Sequence, residues 1–171
     1  MPKKPATSKY VKRALAAGAK DAKLIPTDTI VTAQWVRIKC QYGCSGYGLS
    51  LTCPPHSPPP EKTAQMLSEY KTALLVHTDG HAKITPLLTR LERQAFLDGY
   101  HKAFAFVAGP CNLCEECSLE IGECCHPEMA RPAMEACGID VFQTARNHGL
   151  PIEVVAGRAC QQNYYGLLLL E

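Results

Sequence analysis

Residues 103–117 read AFAFVAGPCNLCEEC. Six apolar residues, β-branched or aromatic at three of them, run without interruption into Gly-Pro-Cys. Such a run has the length and composition of a buried strand, and the Gly-Pro pair stops it. A strand that ends directly in a cysteine loop implies a rigid sheet carrying its chemistry on connecting loops. Outward from this stretch, Thr72–His77 (TALLVH) and Tyr164–Leu170 (YYGLLLL) have the same buried-strand character. Asp28–Val36 (DTIVTAQWV) and Ile152–Ala156 (IEVVA) carry β-branched bias and read as further strands. Helices are expected over Ser8–Gly18, over Glu61–Tyr70, and over Pro86–Tyr100, where apolar residues recur at 87, 88, 91, 95 and 97 behind a starting proline. Pro132–His148 reads as mostly helical, broken near Gly138 and stopped by Gly149. Strands alternating with helices give an α/β class, with α+β as the variant: helices packed on one small sheet. A chain of 171 residues suits one domain over 1–171, with cysteine-rich loops at 40–60 and 109–127.

Composition narrows the function. The formal net charge of +2 gives no footprint for nucleic acid, and Lys and Arg near the start read as one solvated helix face. No apolar run approaches the roughly 20 residues that span a bilayer, and Met-Pro-Lys-Lys leads into no apolar core of a signal peptide. A cytoplasmic address follows as the expectation. Ten cysteines in a reducing compartment point away from disulfides and toward metal ligation.

The second cysteine stretch, residues 109–127, reads GPCNLCEECSLEIGECCHP. Cys111, Cys114 and Cys117 form C-x2-C-x2-C, a spacing that lets the backbone wrap a cubane and give it one thiolate per corner. Bacterial ferredoxins use C-x2-C-x2-C-x3-C-P for 4Fe–4S clusters. Here six residues separate Cys117 from Cys124, so the motif departs from that pattern. Zinc is the competing metal, but its structural sites pair two separated knuckles and have no use for a third thiol in one. Thiolate softness and spacing favour an iron–sulfur cluster, with zinc as the alternative. Glu115, Glu116, Glu120 and Glu123 lie in the same loop without a Lys or Arg. They are either a solvated face or a docking surface for a basic redox partner.

The first stretch, residues 40–60, reads CQYGCSGYGLSLTCPPHSPPP and supplies three thiols, Cys40, Cys44 and Cys53. Eight residues between Cys44 and Cys53 exclude the C-x3-C-x2-C of radical SAM enzymes. Gly43, Gly46 and Gly48 are expected to turn the chain and aim amides at sulfur, and Pro54-Pro55 to stiffen its exit. His56 and His126 stand beside the motifs as ligands or as donors to ligands. Arg131 is either a charge partner for an anionic centre or an ordinary salt-bridge residue, and Tyr47, Tyr164 and Tyr165 are expected in the core. No dinucleotide fingerprint, phosphate loop or nucleophile elbow is present.

Together the two stretches, read as C-x3-C-x2-YG-x4-CPP, GPC-x2-C-x2-C and C-x2-P-x2-ARP-x-MEA-x-GIDVF, resemble a widespread family of predicted metal-binding proteins common in anaerobic bacteria and archaea. The resemblance covers nearly the whole chain and implies metal binding without naming a reaction. It implies Cys40, Cys44, Cys53, Cys111, Cys114, Cys117 and Cys124 as ligands, treats Cys125 as an extra, and leaves Cys137 and Cys160 as buried or incidental thiols. Cys124 could complete the second set and leave the first open, or close the first and leave the second with three; all seven could also surround one larger site. The expected function is electron transfer or a redox accessory role with one or two 4Fe–4S clusters. An enzyme using an open three-Cys cluster as Lewis acid, and a zinc-stabilised interaction module, are the alternatives.

Overall fold

Strands whose two neighbours are other strands and whose two faces are both covered do not alternate polar with apolar; they are mostly apolar along their length. The computed structural model, in which residues 5–157 and 160–171 are described, bears this out in two elements. Strands β2 (Thr72–Thr78) and β4 (Tyr164–Leu169) are the central pair of a four-stranded sheet. Its order is β1-β2-β4-β3, with β1 at Asp21–Pro26 and β3 at Phe104–Phe106. Every neighbouring pair is antiparallel. The fold class is therefore the expected small sheet with packed helices, in its α+β form.

Side chains alternate between two cores. Leu74, Val76 and Leu168 meet helices α1 (Ser8–Ala16) and α4 (His81–Leu97) through Tyr10, Ile84, Leu88 and Leu91. Leu75, Leu167 and Leu169 meet Met134, Cys137 and Ile139 on the opposite face, beside α3 (Pro60–Leu67) and α5 (Val141–Asn147). Each fully buried Leu or Ile stabilises by roughly 1.5–3 kcal/mol. The i, i+3, i+4, i+7 stripe of α4, Ile84, Leu87, Leu88 and Leu91, outweighs Pro86, which lies inside that helix rather than at its start.

Two expected strands do not form. Over Asp28–Val36 the chain makes a 3-10 turn at Thr27–Thr29, a single bridge from Thr32 to Ile139, and then helix α2 (Gln34–Gly43). The β-branched bias of Ile30–Thr32 serves only that bridge. Ile152–Ala156 pairs with no strand among the described residues, and Val154 is 77% exposed. The first strand instead covers Asp21–Pro26, an edge whose exposed Asp21 and Lys23 hid it among polar residues. Pro26 fits there because it lies at the strand's end on the sheet edge.

The sheet places the second cysteine stretch. β3 runs into Gly109, and the returning segment bonds alongside its extension, Val107 N–H to Pro132 O at 2.9 Å and Met134 N–H to Val107 O at 2.9 Å. The loop carrying Cys111–Cys125 is thereby clasped at both ends. The first stretch leaves from a helix, not a strand: Cys40 lies in α2 and Cys44 is its C-cap. Among the described residues no helix is long and apolar enough to cross a membrane.

Candidate metal centre

The two cysteine stretches face each other across two adjoining chambers. Cys40, Cys44 and Cys53 line the first, about 210 Å³, together with Tyr47, Pro110 and Glu135. Cys111, Cys114, Cys117 and Cys124 line the second, about 240 Å³, with Cys125 and His126. Cys53 and Pro110 line both chambers and form their common wall. Cys124 thus stands with the second stretch. Cys125, read as an extra, lines the same chamber, with Ser118 Oγ 3.5 Å from its sulfur. Among the described residues no three His, Cys, Asp or Glu side chains are set to hold one metal ion. The thiols are distributed around the chamber walls.

Backbone amides reach two of the sulfurs. Leu51 N–H, from the first stretch, bonds Cys117 Sγ at 3.4 Å, and His126 N–H bonds Cys124 Sγ at 3.4 Å. The amides aimed at sulfur are therefore those of Leu51 and His126, not those of the expected glycines. Gly48, at φ +76°, instead closes a turn whose N–H bonds Pro54 O at 2.8 Å. N–H···S bonds favour the thiolate, and in clusters they raise the reduction potential. The Leu51 bond also joins the two stretches directly.

Charge inside the first chamber is unbalanced. Burial raises the Cys40 thiol above its ordinary range, and the neighbouring Cys44 and Glu135 push the same way against Arg37. In the second chamber Cys114 is raised, by desolvation first and then by Cys125, Cys111 and Cys117. Glu135 opens the 3-10 turn Glu135–Cys137, and its carbonyl lies 3.9 Å from Cys40 Sγ. Its Oε2 is out of solvent and is the only such side-chain oxygen or nitrogen without a hydrogen-bond partner among the described residues. Burial holds its carboxyl well above the usual range. Sequence reasoning passed over Glu135, because a lone Glu in MEA carries no spacing signal.

Other candidates sort by contact. Arg131 is a salt-bridge residue: its guanidinium grips Glu92 through Nε at 2.8 Å and Nη2 at 2.6 Å, while Glu92 also accepts the Ala105 N–H of β3 at 2.8 Å. It faces neither chamber. Arg37 lines neither chamber but is the cation that acts on Cys40, and it donates to Ser57 Oγ at 2.9 Å and Ala136 O at 2.5 Å, fixing α2 to the Glu135 turn. His56 is exposed and lines neither chamber; His126 lines the second. Tyr165 is core, 1% exposed, and Tyr164 packs half-buried against the core on the other face of the sheet, whereas Tyr47 is half-buried on the first chamber wall. Cys137 is fully buried, its thiol pushed up to about 12 by burial, and Cys160 is exposed outside both chambers. A larger groove of about 660 Å³ opens beside the first chamber, with Trp35, Lys39, Phe142 and Arg146 along it and Cys40, Cys44 and Glu135 at its edge.

The match to known proteins agrees with this chemistry. The model of the predicted metal-binding protein family DUF2284 matches residues 23–170. The chain belongs to that family. No curated protein and no solved structure matches it. Residues 23–170 of this DUF2284 protein take in both chambers, Glu135 and the groove. The chemistry of the donors suits a thiolate-bound centre, although no three of them are gathered to hold a single ion among the described residues: soft donors line both chambers, amides point at sulfur, and one buried carboxylate oxygen is left over.

Proposed function

We propose that this metal-binding protein holds iron–sulfur clusters, most simply one 4Fe–4S cluster in each chamber, and serves as a cytoplasmic electron carrier or redox accessory protein. The adjoining chambers carry the proposal: two sets of thiols share Cys53 as a wall, so electron-accepting centres there would be neighbours. When bound, the clusters would supply one-electron chemistry. Cys111, Cys114, Cys117 and Cys124 would hold one, and Cys40, Cys44 and Cys53 the other. The Leu51 and His126 amides would stabilise negative charge on their sulfurs. Anaerobic purification followed by iron, sulfide and EPR analysis tests this. A brown protein with about eight irons per chain is expected for two such clusters. A colourless protein holding stoichiometric zinc after anaerobic reconstitution would overturn it.

The groove beside the first chamber favours a second reading, an enzyme whose substrate binds there. Its apolar wall, with Lys39 and Arg146 set among Glu135, Asp140 and Glu153, suits a small organic molecule with both apolar and polar groups. A change in the EPR spectrum on adding such a substrate, absent from a pure carrier, separates the two.

A further inference from the structure

Three cysteines leave the first chamber one protein donor short, and the structure holds a candidate for the fourth. Glu135 stands on the same wall system as Cys40, Cys44 and Cys53. Its Oε2 is buried and unpartnered, and the residue forms no ion pair among the described residues. An ionised carboxylate with no counter-charge is costly to bury, so the open Oε2 is a place where a cation that the protein itself does not provide would be stabilised. Arg37 does not fill that role, since its guanidinium is directed to Ser57 and to the carbonyl of Ala136. The Glu135 backbone is fixed as well: its turn is bonded to α2 through Arg37 and through Ala33 N–H to Gly138 O at 2.8 Å, and to α3 through Thr63 Oγ1 to Cys137 O at 2.8 Å. A residue whose backbone is held this firmly, and whose carboxyl oxygen is unpartnered at the wall of a thiol-lined chamber, has the attributes of a ligand.

We propose that the Glu135 carboxylate is the fourth protein ligand of the metal centre held by Cys40, Cys44 and Cys53. This rests on the reading of the first chamber as a metal site. Three thiolates and one carboxylate give four donors, and the harder oxygen makes that position the exchangeable one. It also lies where the 660 Å³ groove meets the chamber, so a ligand entering by the groove would meet the metal at its most replaceable bond.

The test uses the full chain, loaded anaerobically with ferrous iron and sulfide and then challenged with a chelator. Wild type is compared with Glu135→Gln, Glu135→Ala, Glu135→Cys and a Cys40→Ser/Cys44→Ser double variant. Loss of the first-chamber iron about tenfold or more faster in the Gln and Ala variants is expected, the scale seen when groups that support a metal site are removed. Glu135→Cys is expected to restore retention, and iron in the second chamber should persist in every variant as an internal sign of folding. If the Gln and Ala variants match wild type while Cys40→Ser/Cys44→Ser loses iron, the Glu135 assignment fails alone. If the double Cys variant keeps all its iron, the metal reading of the first chamber fails and takes this assignment with it.

Discussion

His77 shows how one buried residue sets a pH limit on stability. It is 1% exposed in β2, stacked on Tyr165 at 4.8 Å, with Nε2 2.8 Å from Asn163 Oδ1. Desolvation lowers its pKa, with Lys20 adding to the effect and Asn163, Asp21 and Asp79 opposing it. The folded imidazole therefore stays neutral where the unfolded one protonates, and the unfolded chain binds the extra proton. Stability contributed by neutral His77 is complete above the unfolded pKa of about 6.5 and is lost as pH falls from there to the folded value. The slope is at most about 1.4 kcal/mol per pH unit for one such group. His148, also lowered by burial and Lys23, contributes in the same direction. Urea titrations between pH 8 and pH 5 should show His77→Phe losing less stability on acidification than wild type, with the residual slope from His148. Parallel curves for the two proteins would refute the assignment.

The central strands could be read from sequence because burial on both faces writes itself as uninterrupted apolar runs, and α4 because its stripe is long. Elements with one weak partner left no such mark: β1 mixes Asp21 and Lys23 into an edge, α2 buries only Val36, and Ile152–Ala156 has strand composition but no partner strand among the described residues. The cysteine spacing announced both halves of the site, but Glu135 is recognisable only once its burial without a partner is seen. What the sequence did mark at that turn is Gly138, and its role is steric as well as conformational. It has φ +76°, and a Cβ there would fall 2.3 Å from Pro60 Cγ at the start of α3. Gly149 has a similar φ of +69° with nothing within 4 Å. Gly149→Ala should therefore cost only backbone strain, about 1 kcal/mol, while Gly138→Ala adds overpacking of roughly 1–3 kcal/mol. Urea midpoints measure both. Equal losses would mean that Pro60 moves aside and that the contact does not fix the turn carrying Glu135.

Across the molecule, charge is separated although the net charge is only +2. Lys9, Lys12, Arg13, Lys20 and Lys23 cluster on and after α1, while Glu115, Glu116, Glu120 and Glu123 are all exposed on the loop that walls the second chamber. An acidic rim around a redox centre would orient a basic partner so that the centre faces it, and such steering changes association rates by 10–10³-fold. A merely solvated loop would do nothing of the kind, and ionic strength separates the two cases. With a basic cytochrome as probe, the rate at which the reduced protein reduces it should fall steeply as salt shortens the Debye length to about 10 Å at 0.1 M. Glu115→Lys/Glu116→Lys should lower the rate at low salt and flatten that dependence, while the two proteins converge at high salt, where screening removes the rim from the encounter. Charge reversal off the loop, at Glu61 and Glu69 on and beside α3, should leave the slope nearly unchanged. An unaltered slope in the Glu115→Lys/Glu116→Lys protein would show that the acids are solvation alone and that a partner docks elsewhere.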